Sequence, residues 1–155
     1  MTALYETDFV AWAQEQADLA RRIANGSAVS RSGSVNALDL ANIAEELESM
    51  GRSERRALAS QMRRLMAHLL KWRYQPDHQS ANWKASIRDS RFQIESVLEY
   101  SASLAGELDE IVGAEWHRAV RWASDETRIA RRALPADCPW TRPELLDADF
   151  LPDED

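Results

Sequence analysis

The sequence predicts an all-α protein, a helical bundle of about five helices followed by an extended, proline-rich C-terminal segment. Apolar residues recur at helical spacing along most of the chain, and no stretch alternates as a strand does. All five prolines lie at or after Pro76, so the first half of the chain can form uninterrupted helices. We expect a single helical domain over residues 1–155, since a chain of that length buries a sufficient core.

The first predicted helix runs from about residue 8 to residue 25. Phe9, Trp12 and Leu19 recur near helical period and are expected to form part of its inward face. Gly26 is expected to end this helix. Residues 26–36 are rich in Ser and Gly and are predicted to form a flexible loop.

Two helices are predicted next, joined as a hairpin. The first covers about residues 37–50, with Ile43 and Met50 among the inward positions, and Gly51 is expected to end it. The second covers about residues 53–74 and has the clearest amphipathic pattern in the chain, with apolar side chains in one arc and basic side chains opposite.

The remaining predicted helices follow Pro76. One spans about residues 81–100, a short turn of helix is expected at 104–110, and a longer helix covers about 112–132. Prolines divide residues 133–155 into a turn-rich C-terminal tail. Within this tail, Thr141 can cap a last short helix, because proline is tolerated in a first helical turn.

The net charge of −7 is unevenly distributed along the chain. Residues 52–91 contain ten basic and three acidic side chains, whereas the rest of the chain is strongly acidic. We expect a central basic layer neutralised by acidic helices around it, including an ion pair between Glu46 and Arg55 or Arg56 across the hairpin. The alternative is an exposed basic ridge that binds nucleic acid or protein. Its candidate residues are Arg56, Arg63, Arg64, Lys71 and Arg88.

A metal site is the weakest of the alternatives. Asp39, Glu46 and His68 flank the apolar stripes of the two hairpin helices and could in principle share an ion. The Glu-x-x-His motif of di-iron bundles is absent from the sequence. A tight hairpin at Gly51 would also leave Glu46 about 16 Å from His68 along the helices. We therefore predict no metal and no other cofactor, with a metal-assisted helical-bundle enzyme as the second alternative.

Several segments resemble a bacterial family known only as the domain of unknown function DUF29. The resemblance rests on residues 4–12, 40–51 and 68–72, together with residues 138–140, 145–147 and 150–152 of the tail. It covers nearly the whole chain in the right order. The resemblance implies an all-helical, bundle-like fold, but it implies no activity and no site residues. The Ser- and Gly-rich connection around residues 27–35 is longer than in many relatives.

The sequence contains no phosphate-binding glycine loop and no nucleophile-elbow or dinucleotide motif. Six tryptophans are many for this length and are expected to pack at helix or subunit interfaces. The single cysteine, Cys138, and the lack of a signal-peptide pattern or membrane-spanning apolar run predict a cytoplasmic location. The leading functional hypothesis is a non-enzymatic protein-interaction or self-association module, and the basic ridge is the runner-up.

Overall fold

The structure is a computed structural model that describes residues 4–26 and 40–153, apart from the side chain of Ala41. These residues are mostly helical and form no strand, so the all-α fold class is confirmed. The α-helices are α1 (Leu4–Thr7), α2 (Phe9–Ala24), α3 (Leu40–Tyr74), α4 (Ala81–Tyr100), α5 (Leu108–Thr127) and α6 (Arg142–Leu146). Short 3₁₀ turns lie at Pro76–His78, Ala102–Glu107 and Arg131–Ala133. Apart from Gly26, the predicted loop over residues 26–36 lies outside the described residues.

The predicted hairpin at Gly51 is wrong, because α3 continues through this residue as one helix of 35 residues. At 1.5 Å per residue the helix is about 52 Å long. Gly51 does not adopt the positive φ that commonly ends helices. It lies instead against α2, where an added Cβ would meet the Val10 side chain at 3.9 Å. The small residue therefore allows α2 to pack against the middle of α3.

Two separate apolar clusters divide α3 along its length. The larger cluster joins the C-terminal half of α3, from Leu58 to Leu70, to α4, α5 and the tail. The smaller cluster consists of Ala17 and Ala20 of α2 and Ala44 of α3, with Leu40 and Leu47 packed against it. We call α2 together with residues 40–54 of α3 the helical arm. Its seam is built from small residues, so its two helices lie close together and bury little apolar area.

Asp8 fixes the base of the helical arm to the rest of the bundle. Its carboxylate caps α2 by accepting from the Ala11 N–H at 3.1 Å. The same carboxylate accepts from the backbone N–H and the hydroxyl of Ser103, at 2.5 and 2.9 Å. Asp8 is buried and pairs with the Ser101 backbone in an isolated bridge. The start of α2 is thereby tied to the turn between α4 and α5.

The C-terminal tail packs onto α4 and α5. Trp140 contacts Trp116 of α5 edge to face at 5.8 Å, and the Trp116 indole donates to the Pro135 carbonyl. Thr141 and Glu144 form the capping box that starts α6. The prediction that Thr141 caps a last short helix is therefore confirmed. In the part of the chain that the structure covers, no helix is both long and apolar enough to cross a membrane.

Arg91 of α4 holds the tail from inside the protein. The guanidinium is buried and donates to the carbonyls of Leu145 and Phe150 at 2.9 and 2.8 Å. Longer contacts reach the carbonyls of Glu144 and Ala148, at 3.2 and 3.5 Å. Burial lowers the pKa of Arg91, although the group remains a cation. One side chain thus satisfies carbonyls at the end of α6 and in the segment that follows it.

Candidate functional site

One side of the helical arm carries large apolar side chains that the protein leaves exposed. Met50 and Ile43 of α3 are 49% and 40% exposed, and Leu19 of α2 is 42% exposed. Helical residues seven positions apart lie within about 20° of one another around the axis. Ile43 therefore lies on the same stripe of α3 as Met50. Leu19 lies on the same stripe of α2 as Trp12.

The two stripes lie on the same side of the arm, as the aromatic residues at its base demonstrate. Tyr5 of α1 packs edge to face on Trp12, with ring centroids 4.8 Å apart, and also contacts Phe9. Tyr5 and Phe9 line a common groove with Met50 of α3, and Tyr100 at the end of α4 closes it. The groove encloses about 670 Å³. We call this side of the arm, from the groove to its tip, the apolar face. Its described members are Tyr5, Phe9, Trp12, Leu19, Ile43 and Met50.

The sequence analysis predicted that Leu19, Ile43 and Met50 point inward, and for these residues the prediction was wrong. The arm has only two helices, so each helix buries one narrow stripe against the other. The alanine seam occupies that stripe, and the larger side chains lie beside it. A signal for this arrangement was present in the sequence, because small residues and large apolar residues form two distinct stripes on α2.

Charged side chains border the apolar face and also interrupt it. Glu6 and Glu54 line the groove at the base of the arm. Arg22 lies near the tip, is exposed, and has no ion-pair partner among the described residues. Its neighbour Arg21 instead bonds to Glu48 across the arm. Glu46 is also exposed on the stripe between Ile43 and Met50, so acidic side chains lie within the face as well as at its base, and Arg22 lies toward its tip.

Most of the predicted basic ridge is neutralised within the chain. Arg63 lies 3.5 Å from the buried Glu115, and Arg64 donates to Asp89 at 2.6 Å. Lys71 is buried and donates to Glu126. The expected neutralisation by a surrounding acidic helix is therefore found for Arg63 and Lys71, which pair with α5, whereas the partner of Arg64 lies within the basic segment itself.

Two ridge residues, Arg56 and Arg88, are exposed and have no acidic partner in residues 4–26 and 40–153. They lie on different helices, α3 and α4. The predicted pair between Glu46 and Arg55 or Arg56 does not form. Arg55 bonds instead to Glu107 and Glu110, at 2.5 and 3.2 Å.

His68 belongs to a buried polar cluster beside Lys71. Its Nδ1 lies 2.9 Å from the Arg64 carbonyl, so this nitrogen donates, and its ring contacts Trp122. Burial lowers the pKa of His68, and the bond to the carbonyl only partly opposes this shift. The Lys71 ammonium lies 4.8 Å from the Trp83 ring. Burial disfavours ionisation of Glu126, but its hydrogen bonds with Lys71 and Trp122 outweigh this and lower its pKa.

The alternative metal site is not assembled. Glu46 and His68 both belong to α3 and are 22 residues apart in it, about 33 Å at the helical rise. They cannot share an ion, and Asp39 lies outside the described residues. Among the residues that the structure does describe, no three His, Cys, Asp or Glu side chains come together as metal ligands would.

The fold and the apolar face together define an all-helical domain with a projecting two-helix arm. The chain belongs to the family Domain of unknown function DUF29, whose family model matches residues 4–151. It is also similar to an alpha-helical protein of unknown function from Rhodospirillum rubrum, known from a crystal structure. The two chains are 29% identical, the match covers 97% of this chain and 93% of that chain, and the TM-score is 0.76. None of the curated proteins matches the chain.

Proposed function

We propose that this protein is a helical interaction module that binds another protein chain through the apolar face. The observation that supports this function is the group of exposed apolar side chains, Tyr5, Leu19, Ile43 and Met50, on one side of the arm. Monomeric proteins rarely leave large contiguous apolar patches in water, and such patches commonly mark binding surfaces. Covering each exposed Leu, Ile or Met here contributes about 1 kcal/mol of binding free energy.

The basic ridge supports this proposal less well than the apolar face does. Arg63, Arg64 and Lys71 are held by carboxylates of α4 and α5. A polyanion would have to compete with these intramolecular pairs. By contrast, the side chains of the apolar face have no such competitor among the described residues.

The test is affinity capture with the wild-type protein and two matched variants. The double variant Leu19→Glu/Met50→Glu places charges on the apolar face at exposed positions, so it should fold normally. The control Phe92→Glu changes a side chain that is 64% exposed on α4, outside the arm. We expect captured proteins, including an untagged copy of this chain, to be retained by the wild type and the control and lost with the double variant. Equal recovery with all three proteins would contradict the proposal.

A further inference from the structure

We propose that the groove at the base of the arm binds a small organic cation that carries a quaternary ammonium group. This inference goes beyond the interaction with a protein, because it assigns a ligand to the groove by itself. Three aromatic rings, one thioether and two carboxylates line the groove, together with two serines. Its volume of about 670 Å³ lies within the range of small-molecule pockets, roughly 300–1,000 Å³.

The contacts of Asp8 bring the walls of the groove together. Phe9 follows Asp8 directly, and Tyr100 directly precedes Ser101, whose backbone pairs with Asp8 in the isolated bridge. The bonds between Asp8 and Ser103 hold the same junction. The aromatic walls that come from α2 and from the end of α4 are therefore in place before a ligand arrives, which lowers the entropic cost of binding.

The aromatic rings form a corner and not one flat surface. The rings of Tyr5 and Phe9 have centroids 6.3 Å apart, and their planes meet at 71°. Trp12 packs edge to face on Tyr5 and holds this exposed ring in position. Tyr100, which is 62% exposed, adds the third ring. Rings at such angles can surround a compact group on several sides, as in the aromatic cages that bind quaternary ammonium ions.

The charges of the groove favour a cation. Glu6 is exposed and Glu54 is half-buried, and both line the groove. Neither carboxylate has an ion-pair partner within residues 4–26 and 40–153. The described residues that line the groove include no basic side chain. Both carboxylates would therefore attract a cation and repel an anion.

The apolar character of the walls distinguishes between kinds of cation. A primary ammonium is compact and strongly hydrated, so it loses much of its hydration against aromatic rings and the thioether of Met50. A quaternary ammonium presents methyl groups instead, and these gain apolar contact with the same walls. Its positive charge is attracted by the ring faces as well as by the carboxylates. The quaternary group is thus the cation that matches the whole lining.

The experiment is a proton NMR titration of the full chain with three probes of similar size. Choline carries the quaternary group, ethanolamine is its primary amine, and 3,3-dimethyl-1-butanol is its uncharged counterpart. We expect choline to bind with a Kd of about 1 mM, since the ligand is small, and its methyl signal to shift upfield over the rings. The two other probes should bind at least about tenfold more weakly.

Matched variants test whether this binding occurs in the groove. Tyr100→Leu removes a ring but keeps an apolar side chain, and it should weaken choline binding about threefold to fivefold. Glu54→Gln should weaken it about threefold, with a larger effect at low salt. The control is Phe92→Leu, an exposed ring on the same helix outside the groove, for which we expect an unchanged Kd. Circular dichroism of each variant checks the fold.

Four results would overturn the inference. They are the absence of choline binding up to roughly 20 mM, equal binding of the uncharged probe, equal binding of ethanolamine, and an unchanged Kd in Tyr100→Leu. The first result excludes the site, the second and third exclude the quaternary ammonium as its ligand, and the fourth excludes the groove as its place. The proposed protein interaction fails or holds separately, because capture is measured without choline and choline binding is measured without a partner.

Discussion

Replacing Arg91 by methionine removes the guanidinium that holds the C-terminal tail while keeping an apolar stem of similar length. Three of its contacts with tail carbonyls are 3.2 Å or shorter. A hydrogen bond involving a charged group contributes roughly 1.5 kcal/mol or more, which gives about 4–5 kcal/mol for the three. We expect a loss of about 3 kcal/mol in the free energy of unfolding, because the released carbonyls regain water.

Urea denaturation followed by tryptophan fluorescence measures this loss. Trp140 belongs to the tail and is buried against Trp116, so detachment of the tail should also shift its emission to the red. The control is Arg88→Met, on the same helix but exposed, for which we expect a change within about 0.5 kcal/mol. If Arg91→Met unfolds at the same urea concentration as Arg88→Met, the carbonyl contacts do not hold the tail and the reasoning fails.

Three further predictions concern α3 and its neighbours. Gly51→Ala should stabilise the protein by about 0.5–1 kcal/mol in urea denaturation, because the added Cβ meets only Val10 at an ordinary contact distance. Glu126→Gln should lower the free energy of unfolding by about 2 kcal/mol, because it leaves the buried Lys71 ammonium without its counter-charge. Lys71→Met should leave the free energy of unfolding nearly unchanged. Burial lowers the pKa of His68 in the folded state, so the unfolded chain binds the proton more readily than the folded chain does. The free energy of unfolding should therefore fall as the pH drops below about 6.5. His68→Gln should remove this part of the pH dependence.

Each of these predictions has a matched comparison. Gly26 has a positive φ of 74°, so Gly26→Ala should destabilise the protein by about 1 kcal/mol, opposite in sign to Gly51→Ala. His117 is exposed on α5, and His117→Gln should change the free energy of unfolding at neutral pH by less than about 0.5 kcal/mol. Equal losses for Lys71→Met and Glu126→Gln would indicate that packing, and not an unpaired charge, decides stability there.

The helices α2 and α4 could be predicted nearly to their ends because their apolar periodicity and their caps agree. The prediction for the next helix was wrong at its ends, since α5 spans Leu108–Thr127 instead of 112–132 and has no side-chain cap at its start. Thr141 and the last short helix were predicted from a local pattern, and the structure forms the complete capping box there. The pairing of the basic layer with acidic helices could be expected from charge balance alone. The individual partners could not, because Arg55 and Glu107 are 52 residues apart and meet only in the fold.

The apolar face was missed because periodicity reports which side of a helix is apolar and not how many neighbours that side has. Leu19 and Met50 belong to apolar stripes that would be buried in a helix with partners on both sides. In the arm the main neighbour of each helix is the other one, and the alanine seam takes that contact. Burial of the larger side chains then depends on a partner outside the chain, which is why the sequence suggested a core and the structure indicates an interface.

The prediction that a helix ends at Gly51 was also wrong because a local signal was read without its wider context. A glycine followed by a charge reversal is a common helix stop, and the hairpin prediction relied on it. The same sequence also carries Ala44, Gly51, Leu58 and Leu65 at unbroken intervals of seven, which keeps one stripe facing inward through the glycine. That continuity outweighs the helix propensity lost at one glycine, about 1 kcal/mol. α3 therefore extends past the ends of α4 and α5, and the extension creates the arm on which the proposed interaction depends.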